Sequence, residues 1–271
     1  MSSEIKVAVN GALGRMGSTV LTAAANENGV TPVGGVDIAA SSDSVTISGT
    51  SVSVPLTSNL NDLFDVEKPD VVVDFTNGEA AKESIVTCIN AGVRVVSGST
   101  GLSAKEIEEI RQLAAEKGIG VLSASNFALG GVVLMHLAGI ASKYFDYADL
   151  LESHHEMKVD APSGTALSIA ESMIEGRGKG FEQNVADLQT LEGTRGGDYQ
   201  GINVHSARMP GRVARHEVVF GALGQTLTMI HDSINRESFM PGVMLGVKDV
   251  VGRSELVIGL ASVLGLDKSK P

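Results

Sequence analysis

The sequence predicts an α/β protein in which residues 1–127 form a doubly wound parallel sheet and residues 128–239 a second, α+β domain with an open mixed sheet. Three observations carry that expectation. Strand-like and helix-like segments alternate from residue 5 to residue 123. Residues 70–75 (Asp-Val-Val-Val-Asp-Phe) are apolar on both faces, as interior strands of a parallel sheet are. From about residue 128 the alternation gives way to two helices and then a run of strands, which is a different architecture.

Residues 5–9 (Ile-Lys-Val-Ala-Val) begin the sheet, Asn10–Gly17 is a glycine-rich turn, and the small and apolar residues of Ser18–Ala25 make a helix. Gly11, Gly14 and Gly17 keep an i, i+3, i+6 rhythm, a variant of G-x-G-x-x-G, and Val33–Asp37 reads as a second strand ending in an acid 20 residues beyond Gly17. A glycine triplet alone does no more than tighten a turn. Between a strand and a helix, with an acid at that distance, it suits a dinucleotide: pyrophosphate on the helix N-terminus and the carboxylate on the adenosine ribose. The first domain is therefore expected to be Rossmann-like and nucleotide-binding. Gly78–Ala91 is the next helix, Val93–Ser97 a strand, Ser103–Lys117 an amphipathic helix capped by Ser103 with Glu106 three residues on, and Ile119–Ser123 a strand. Ligands of such sheets lie outside the carboxyl ends of the strands, so the turns Gly98-Ser99-Thr100-Gly101 and Ala124-Ser125-Asn126-Phe127 are expected to border the nicotinamide half of the cofactor.

In the second domain a long apolar helix (Gly130–Tyr144) leads to a strand that ends near residue 153. Residues 152–166, Glu-Ser-His-His-Glu-Met-Lys-Val-Asp-Ala-Pro-Ser-Gly-Thr-Ala, gather the chemistry. If the chain stays extended through His154 and His155, the two imidazoles point to opposite faces, so that one can meet a reacting atom while the other anchors a ligand. Lys158 adds a positive charge. Ala166–Ile174 has helical spacing, continuing to about Glu175, with Ser163 as N-cap and Gly164-Thr165 in the first turn. Unpaired N–H groups at such a helix mouth suit a carboxylate or phosphate. The His-His pair alone fits a polar surface loop equally well; the lysine and the helix start turn the reading toward a site for a small anion. A mobile glycine-rich segment is expected at Gly176–Gly180, then strands near Ile202–Arg208, His216–Ala222 and Thr226–His231. The last two strands would leave open edges and are expected to carry an oligomer contact. A helix at about Phe239–Val251 and an apolar tail from Leu256 to Leu264 close the chain.

The 271 residues, 43% hydrophobic and 20% charged, are enough for one large domain or two modest ones. A net charge of −11 argues against a nucleic-acid surface, so an anionic substrate must be held by local charge. No apolar run approaches the roughly 20 residues of a membrane span. Met1-Ser2-Ser3-Glu4 lacks the basic-then-apolar order of a signal peptide, and the expected location is cytoplasmic. The single cysteine, Cys88, excludes an intramolecular disulfide and reads as a buried helix thiol. No metal is expected, because a zinc-binding His-Glu-x-x-His would need histidine where Val159 stands. Ser163 lacks the preceding glycine of a nucleophile elbow.

Gly11-Ala-Leu-Gly-Arg-Met-Gly17, Val73-Asp-Phe-Thr76, Gly98-Ser-Thr-Gly101, Ser125-Asn-Phe127 and above all His154-His155-x-x-Lys158-Val-Asp-Ala-Pro-Ser-Gly-Thr-Ala166 resemble the dihydrodipicolinate reductases, also called 4-hydroxy-tetrahydrodipicolinate reductases, of the lysine and diaminopimelate pathway. The similarity runs on through Arg195-Gly-Gly197, Arg208 and His216-Glu-Val-Val-Phe220. The resemblance implies that His154 is the proton donor or acceptor and Lys158 the second proton donor, while His155, Gly164 and Thr165 hold the carboxylates of a cyclic dicarboxylate. It implies that Gly11, Ala12, Leu13, Gly14, Arg15, Met16, Asp37, Gly98, Ser99, Thr100, Ala124, Ser125, Asn126 and Phe127 contact NADH or NADPH. It further implies a homotetramer built through the second domain's sheets, a final helix returning so that residues 240–271 complete the first domain, and substrate in a cleft between domains. Two departures stand out. Ile38 occupies the place where NADPH-using relatives often carry an arginine, and Ala214-Arg215 precede His216 where many have a glycine and an acid. No basic residue follows Asp37 through Asp43, and Arg15 alone could swing toward a 2′-phosphate, so NADH is expected to be favoured over NADPH by a modest factor. An aspartate- or homoserine-type dehydrogenase and a nucleotide sensor without turnover are the rival readings.

Overall fold

A computed structural model describes residues 4–183 and 188–266; Met1–Ser3, on which the leader expectation rests, and 267–271, the end of the segment expected to complete the first domain, lie outside the described residues. In chain order the elements are β1 (Ile5–Asn10), α1 (Arg15–Asn26), β2 (Val30–Val36), β3 (Ser44–Thr46), β4 (Ser53–Thr57), α2 (Leu60–Val66), β5 (Val71–Asp74), α3 (Gly78–Asn90), β6 (Arg94–Ser97), α4 (Ala104–Lys117) and β7 (Val121–Ser123). There follow α5 (Leu129–Ala141), a 3-10 turn at Ser142–Tyr144, β8 (Tyr147–His154), α6 (Gly164–Arg177), β9 (Gly197–Tyr199), β10 (Ile202–Arg208), β11 (Ala214–Ala222), β12 (Gln225–Ser233), α7 (Met240–Val250) and β13 (Leu256–Ile258). The chain divides into two compact units, Met1–Phe127 with Phe239–Pro271, and Ala128–Ser238.

The first unit is built on an eight-stranded sheet of order β13-β7-β6-β5-β1-β2-β4-β3, parallel throughout except for the antiparallel pair β3–β4. Because strand side chains alternate, Ala8, Val72 and Val95 share one face, where they meet Leu63, Ile85, Ile89 and Ile110 from α2, α3 and α4. Each large side chain so buried contributes roughly 1.5–3 kcal/mol. Helices α1 and α7 pack on the sheet as well. α4 carries the expected capping box: Ser103 Oγ accepts from the Glu106 N–H, and the Glu106 carboxylate accepts from the Ser103 N–H. Cys88 is buried in α3, and burial, aided by the negative Asp74, pushes its thiol well above the usual range. α1 begins three residues before the expected helix. Gly17 is a helical residue, not part of the turn, and glycine is required there because a Cβ would lie 2.0 Å from the Gly11 carbonyl oxygen. Leu256–Ile258, expected as part of an apolar tail, pairs in parallel with β7.

In the second unit the sheet order is β12-β11-β8-β10-β9, with β8 and β10 parallel and the other pairs antiparallel. Leu150, Val218, Phe220, Ile202 and Val204 of the sheet pack against Leu134, Ala138, Ile169 and Met173 of α5 and α6. Gly176 lies inside α6, where a Cβ would come 2.0 Å from the Gly139 carbonyl oxygen of α5, and Gly178 caps the helix with φ +76°. The start of the segment expected to be mobile is thus packed helix. β11 is an interior strand, so residues 216–222 leave no open edge; β12 does. Arg215, one of the departures, is ion-paired to Glu217 on its own strand and to Asp232 on β12. No helix among the described residues is long and apolar enough to cross a membrane.

Candidate active site

In the second unit, β8 has β10 on one side and β11 on the other, and the registers set Arg208 opposite His154 and His216 opposite Glu152. Glu152 and His154, two residues apart, share a face of the strand. The Glu152 carboxylate has no exposed surface. It accepts from His154 Nδ1 at 2.5 Å, from Arg208 Nη1 and Nη2 at 3.0 and 2.8 Å, and from the Ser163 N–H at 3.3 Å. Burial would raise this carboxyl, but hydrogen bonds from His154, Arg208 and Ser206 prevail and hold it at about 2. Glu152 is therefore ionised and can only accept, which places the shared proton on His154 Nδ1.

His216 is buried edge-on to His154, ring centroids 5.3 Å apart, with Nε2 3.2 Å from Ser163 Oγ. Burial, with the neighbouring His154, pushes His216 down to about 4, so the ring is neutral around pH 7. The sign follows from linkage: above pH 6.5 both folded and unfolded His216 are neutral, whereas between 6.5 and 4 only the unfolded chain gains the proton. Stability is thus expected to fall as pH drops from 6.5 to 4, by an amount on the order of 3 kcal/mol for this group. Denaturant melts at stepped pH check this; His216→Gln should flatten the slope in that window, and a slope unchanged by the substitution would contradict it.

Ser163 caps α6, its Oγ accepting from the Ala166 N–H, and the preceding Ala161–Pro162 peptide is cis. Among the described residues the N–H groups of Gly164 and Thr165 have no partner, and a Cβ at Gly164 would meet nothing within 4 Å. The helix mouth is open and offers two donors. Lys158, half-buried, places Nζ 2.8 Å from Asp160 Oδ1, and Arg208 Nη2 also donates to the Asp160 carbonyl at 2.5 Å. One guanidinium therefore ties the turn carrying Lys158 to the carboxylate behind His154. β8 ends at His154; His155 lies in the turn beyond it, so strand alternation does not set the direction of its side chain. Sequence reasoning passed over Glu152, and took Arg208 and His216 only as marks of resemblance. The missed signal was an acid two residues before a histidine in a strand, hence on the same face.

In the first unit Gly11 has φ +80°, and a Cβ there would lie 2.9 Å from the Phe75 carbonyl oxygen. Only glycine fits this turn. Asp37, just past β2, accepts from the Leu13 N–H at 2.9 Å and the Ala39 N–H at 3.0 Å, one on each oxygen, which leaves acceptor capacity on both for ribose hydroxyls. An open cavity of ≈ 470 Å³ is lined by Gly11, Asp37, Ile38, Asn59, Thr76 and Ser84 among others. Cavity, turn and carboxylate fit the adenosine half of a dinucleotide. Gly14 and Arg15 are exposed at the start of α1, Met16 is half-buried, and Ala12 is buried.

The turns after β5 and β6 hang on one acid, Asp74, that the sequence reading placed in a strand and in a stretch of resemblance without a role of its own. Asp74 is fully buried and accepts from Asn10 Nδ2 (2.9 Å), Thr76 Oγ1 (3.0 Å), Ser97 Oγ (3.2 Å) and Ser99 Oγ (2.7 Å), while Ser99 Oγ accepts from the Thr76 N–H. Gly98 and Thr100 flank this anchored Ser99. The Ala124 N–H donates to the Ser97 carbonyl, bringing the 124–127 turn to the same strand ends. Of that turn, Ser125 is exposed and Asn126 half-buried, but the Ala124 and Phe127 side chains are core, Phe127 edge-on to Phe75 at 5.9 Å. Whatever those two residues offer a ligand comes from their backbone. Among the described residues no cluster of three or more His, Cys, Asp or Glu could hold a metal ion.

Two family models match: "Dihydrodipicolinate reductase, N-terminus" over residues 5–127 and "Dihydrodipicolinate reductase, C-terminus" over residues 130–264. The 4-hydroxy-tetrahydrodipicolinate reductase of Dehalococcoides mccartyi (strain CBDB1) is 45% identical over 262 residues, covering 97% of this chain and 99% of the relative. That of Syntrophomonas wolfei is 40% identical, covering 97% and 100%. Among solved structures, the dipicolinate-bound dihydrodipicolinate reductase from Paenisporosarcina sp. TG-14 superposes with a TM-score of 0.85 at 37% identity, covering 96% of this chain and 99% of its own. With both halves of the chain matched and identity above 40% across almost its whole length, the protein belongs to the dihydrodipicolinate reductase family.

Proposed function

We propose that the chain is an NAD(P)H-dependent 4-hydroxy-tetrahydrodipicolinate reductase of lysine and diaminopimelate biosynthesis, in which the second unit holds the cyclic dicarboxylate and the first holds the nucleotide. The observation that carries the assignment of roles is the open mouth of α6, with two unpartnered N–H groups, on the same short span as a carboxylate-backed imidazole and Lys158. Gly164 and Thr165 N–H groups, His155 and Lys158 bind carboxylate; His154 and Lys158 deliver protons. When bound, the reduced nicotinamide supplies the hydride. Positive charge and N–H dipoles fixed in place suit this chemistry, because hydride addition puts negative charge on the ring as the transition state forms. The test is oxidation of NADH with the cyclic intermediate generated in situ by its synthase. Turnover with that substrate, and none with oxaloacetate or aspartate semialdehyde, supports the reading over the dehydrogenase rivals. Tight NADH binding without turnover would revive the sensor.

Both cofactors are used, with NADH favoured. Asp37 repels a 2′-phosphate, Ile38 beside it is almost fully exposed and uncharged, and the candidate cation is Arg15, exposed at the start of α1. One screened repulsion at a partly solvated rim is worth about 1 kcal/mol, so the expected ratio of kcat/KM is roughly fivefold toward NADH. A higher kcat/KM with NADPH would overturn this, and loss of that advantage in Arg15→Ala would identify the residue responsible.

The protein assembles as a homotetramer through the sheet of the second unit. Support comes from β12, an edge strand that exposes Leu227 and Ile230. Sedimentation is expected to give a tetramer at micromolar concentration; a monomer would contradict the assignment.

A further inference from the structure

His154 needs more than proximity to a substrate to act as a proton donor: the right ring nitrogen must face the reaction. A neutral imidazole has two tautomers, and which one is present is set by the hydrogen bond made by the nitrogen that does not react. Here that nitrogen is Nδ1, and its partner is the buried carboxylate of Glu152. Arg208 grips both oxygens of the same carboxylate, one with each terminal nitrogen, so the acceptor cannot rotate away without breaking both bonds, and the guanidinium is itself held by the Asp160 carbonyl. The Ser163 N–H, at the cap of α6, donates to the carboxylate as well. His216, the other buried imidazole beside His154, is turned to Ser163.

On the reading of His154 as the acid–base group, we infer that Glu152, clamped by Arg208, is a positioning residue that holds the proton of His154 Nδ1 and so assigns proton delivery to Nε2. The balance is simple. The imidazolium gives its Nε2 proton to the substrate as the hydride arrives, the N–H bond at Nε2 breaks, and the neutral ring is left as the Nδ1–H tautomer that Glu152 stabilises. Without an ionised acceptor at Nδ1 the ring is free to settle as the Nε2–H tautomer or to turn. Glu152 touches no reacting atom in this scheme, and its effect passes through His154.

The experiment compares Glu152→Gln with the double variant Glu152→Gln/Arg208→Gln in the full-length protein. The single variant leaves Arg208 without its carboxylate, a loss that can prevent folding; the double variant removes both charges together. In whichever variant folds, kcat with the synthase-generated substrate should fall ~100-fold or more, while the KM for NADH stays within about threefold. A long-range ¹H–¹⁵N correlation spectrum of ring-labelled protein provides a readout that looser packing would not mimic: the His154 proton sits on Nδ1 in the wild type and shifts toward Nε2 in the variant. Glu152→Asp, which keeps the charge, should recover part of kcat. Wild-type kcat in either variant, or an unchanged His154 tautomer, would overturn the positioning role. Failure of the underlying reading looks different, because then His154→Gln itself would turn over normally.

Discussion

His154→Gln is expected to lower turnover by ~100- to 10,000-fold, the span general acid–base groups contribute, while the dissociation constant for NADH moves little. The asymmetry follows from where the residue sits. His154 belongs to β8 in the second unit, whereas the glycine turn, Asp37 and the adenosine-sized cavity belong to the first. Glutamine keeps a polar group of similar reach, and its amide can still face Glu152, so the fold should survive while the titratable proton is lost. A variant within threefold of wild type would move the acid–base role to His155, the other imidazole of the pair.

Lys158→Ala should cut turnover by ~100-fold or more, and Lys158→Arg should restore little of it. The ammonium is held by Asp160 at 2.8 Å in a turn pinned by Arg208, so its charge is placed in advance of any ligand. Arginine would restore charge and even carboxylate binding. It cannot release a proton near neutral pH, and it presents a planar fork where a compact ammonium stood. The diagnostic result is a split: Lys158→Arg with KM for the dicarboxylate near wild type and kcat still low. Near-normal kcat in Lys158→Ala would remove the residue from the mechanism altogether.

Patterns that depend on neighbours in sequence were legible before any coordinates. The capping box Ser103–Glu106, the turn at Gly11, the doubly apolar strand at 71–73 and the Ser163 cap with its Gly164-Thr165 mouth each rest on a few adjacent residues, and each lies where local rules put it. What was missed required distant pairing. Ser44–Val66 carried no assignment, yet holds β3, β4 and α2; the two strands are three and five residues long, β4 contains Pro55, and β4 is held by pairing with the edge of β2. The glycine at 17 looked like a turn residue, since only the approach of Gly11 explains glycine within a helix. In the site the same division holds. His154 and Lys158 stood out by their own chemistry, but the Glu152–Arg208–His216 surround comes from three strands up to 64 residues apart, and β8 between β10 and β11 is a pairing no local period encodes. Likewise Asp74 read as a strand residue, because its four donors are drawn from β1, β6 and the turns after β5 and β6.

The central claim, that the mouth of α6 receives a carboxylate of the cyclic substrate beside the Glu152-backed imidazole, is tested most directly by a crystal structure with NADH and the planar analogue dipicolinate bound. The expected result is one carboxylate accepting hydrogen bonds from the Gly164 and Thr165 N–H groups, with Lys158 Nζ turned from Asp160 toward the ligand and His154 Nε2 facing its ring. Dipicolinate bound elsewhere, with those two amides facing solvent and Lys158 still on Asp160, would contradict it.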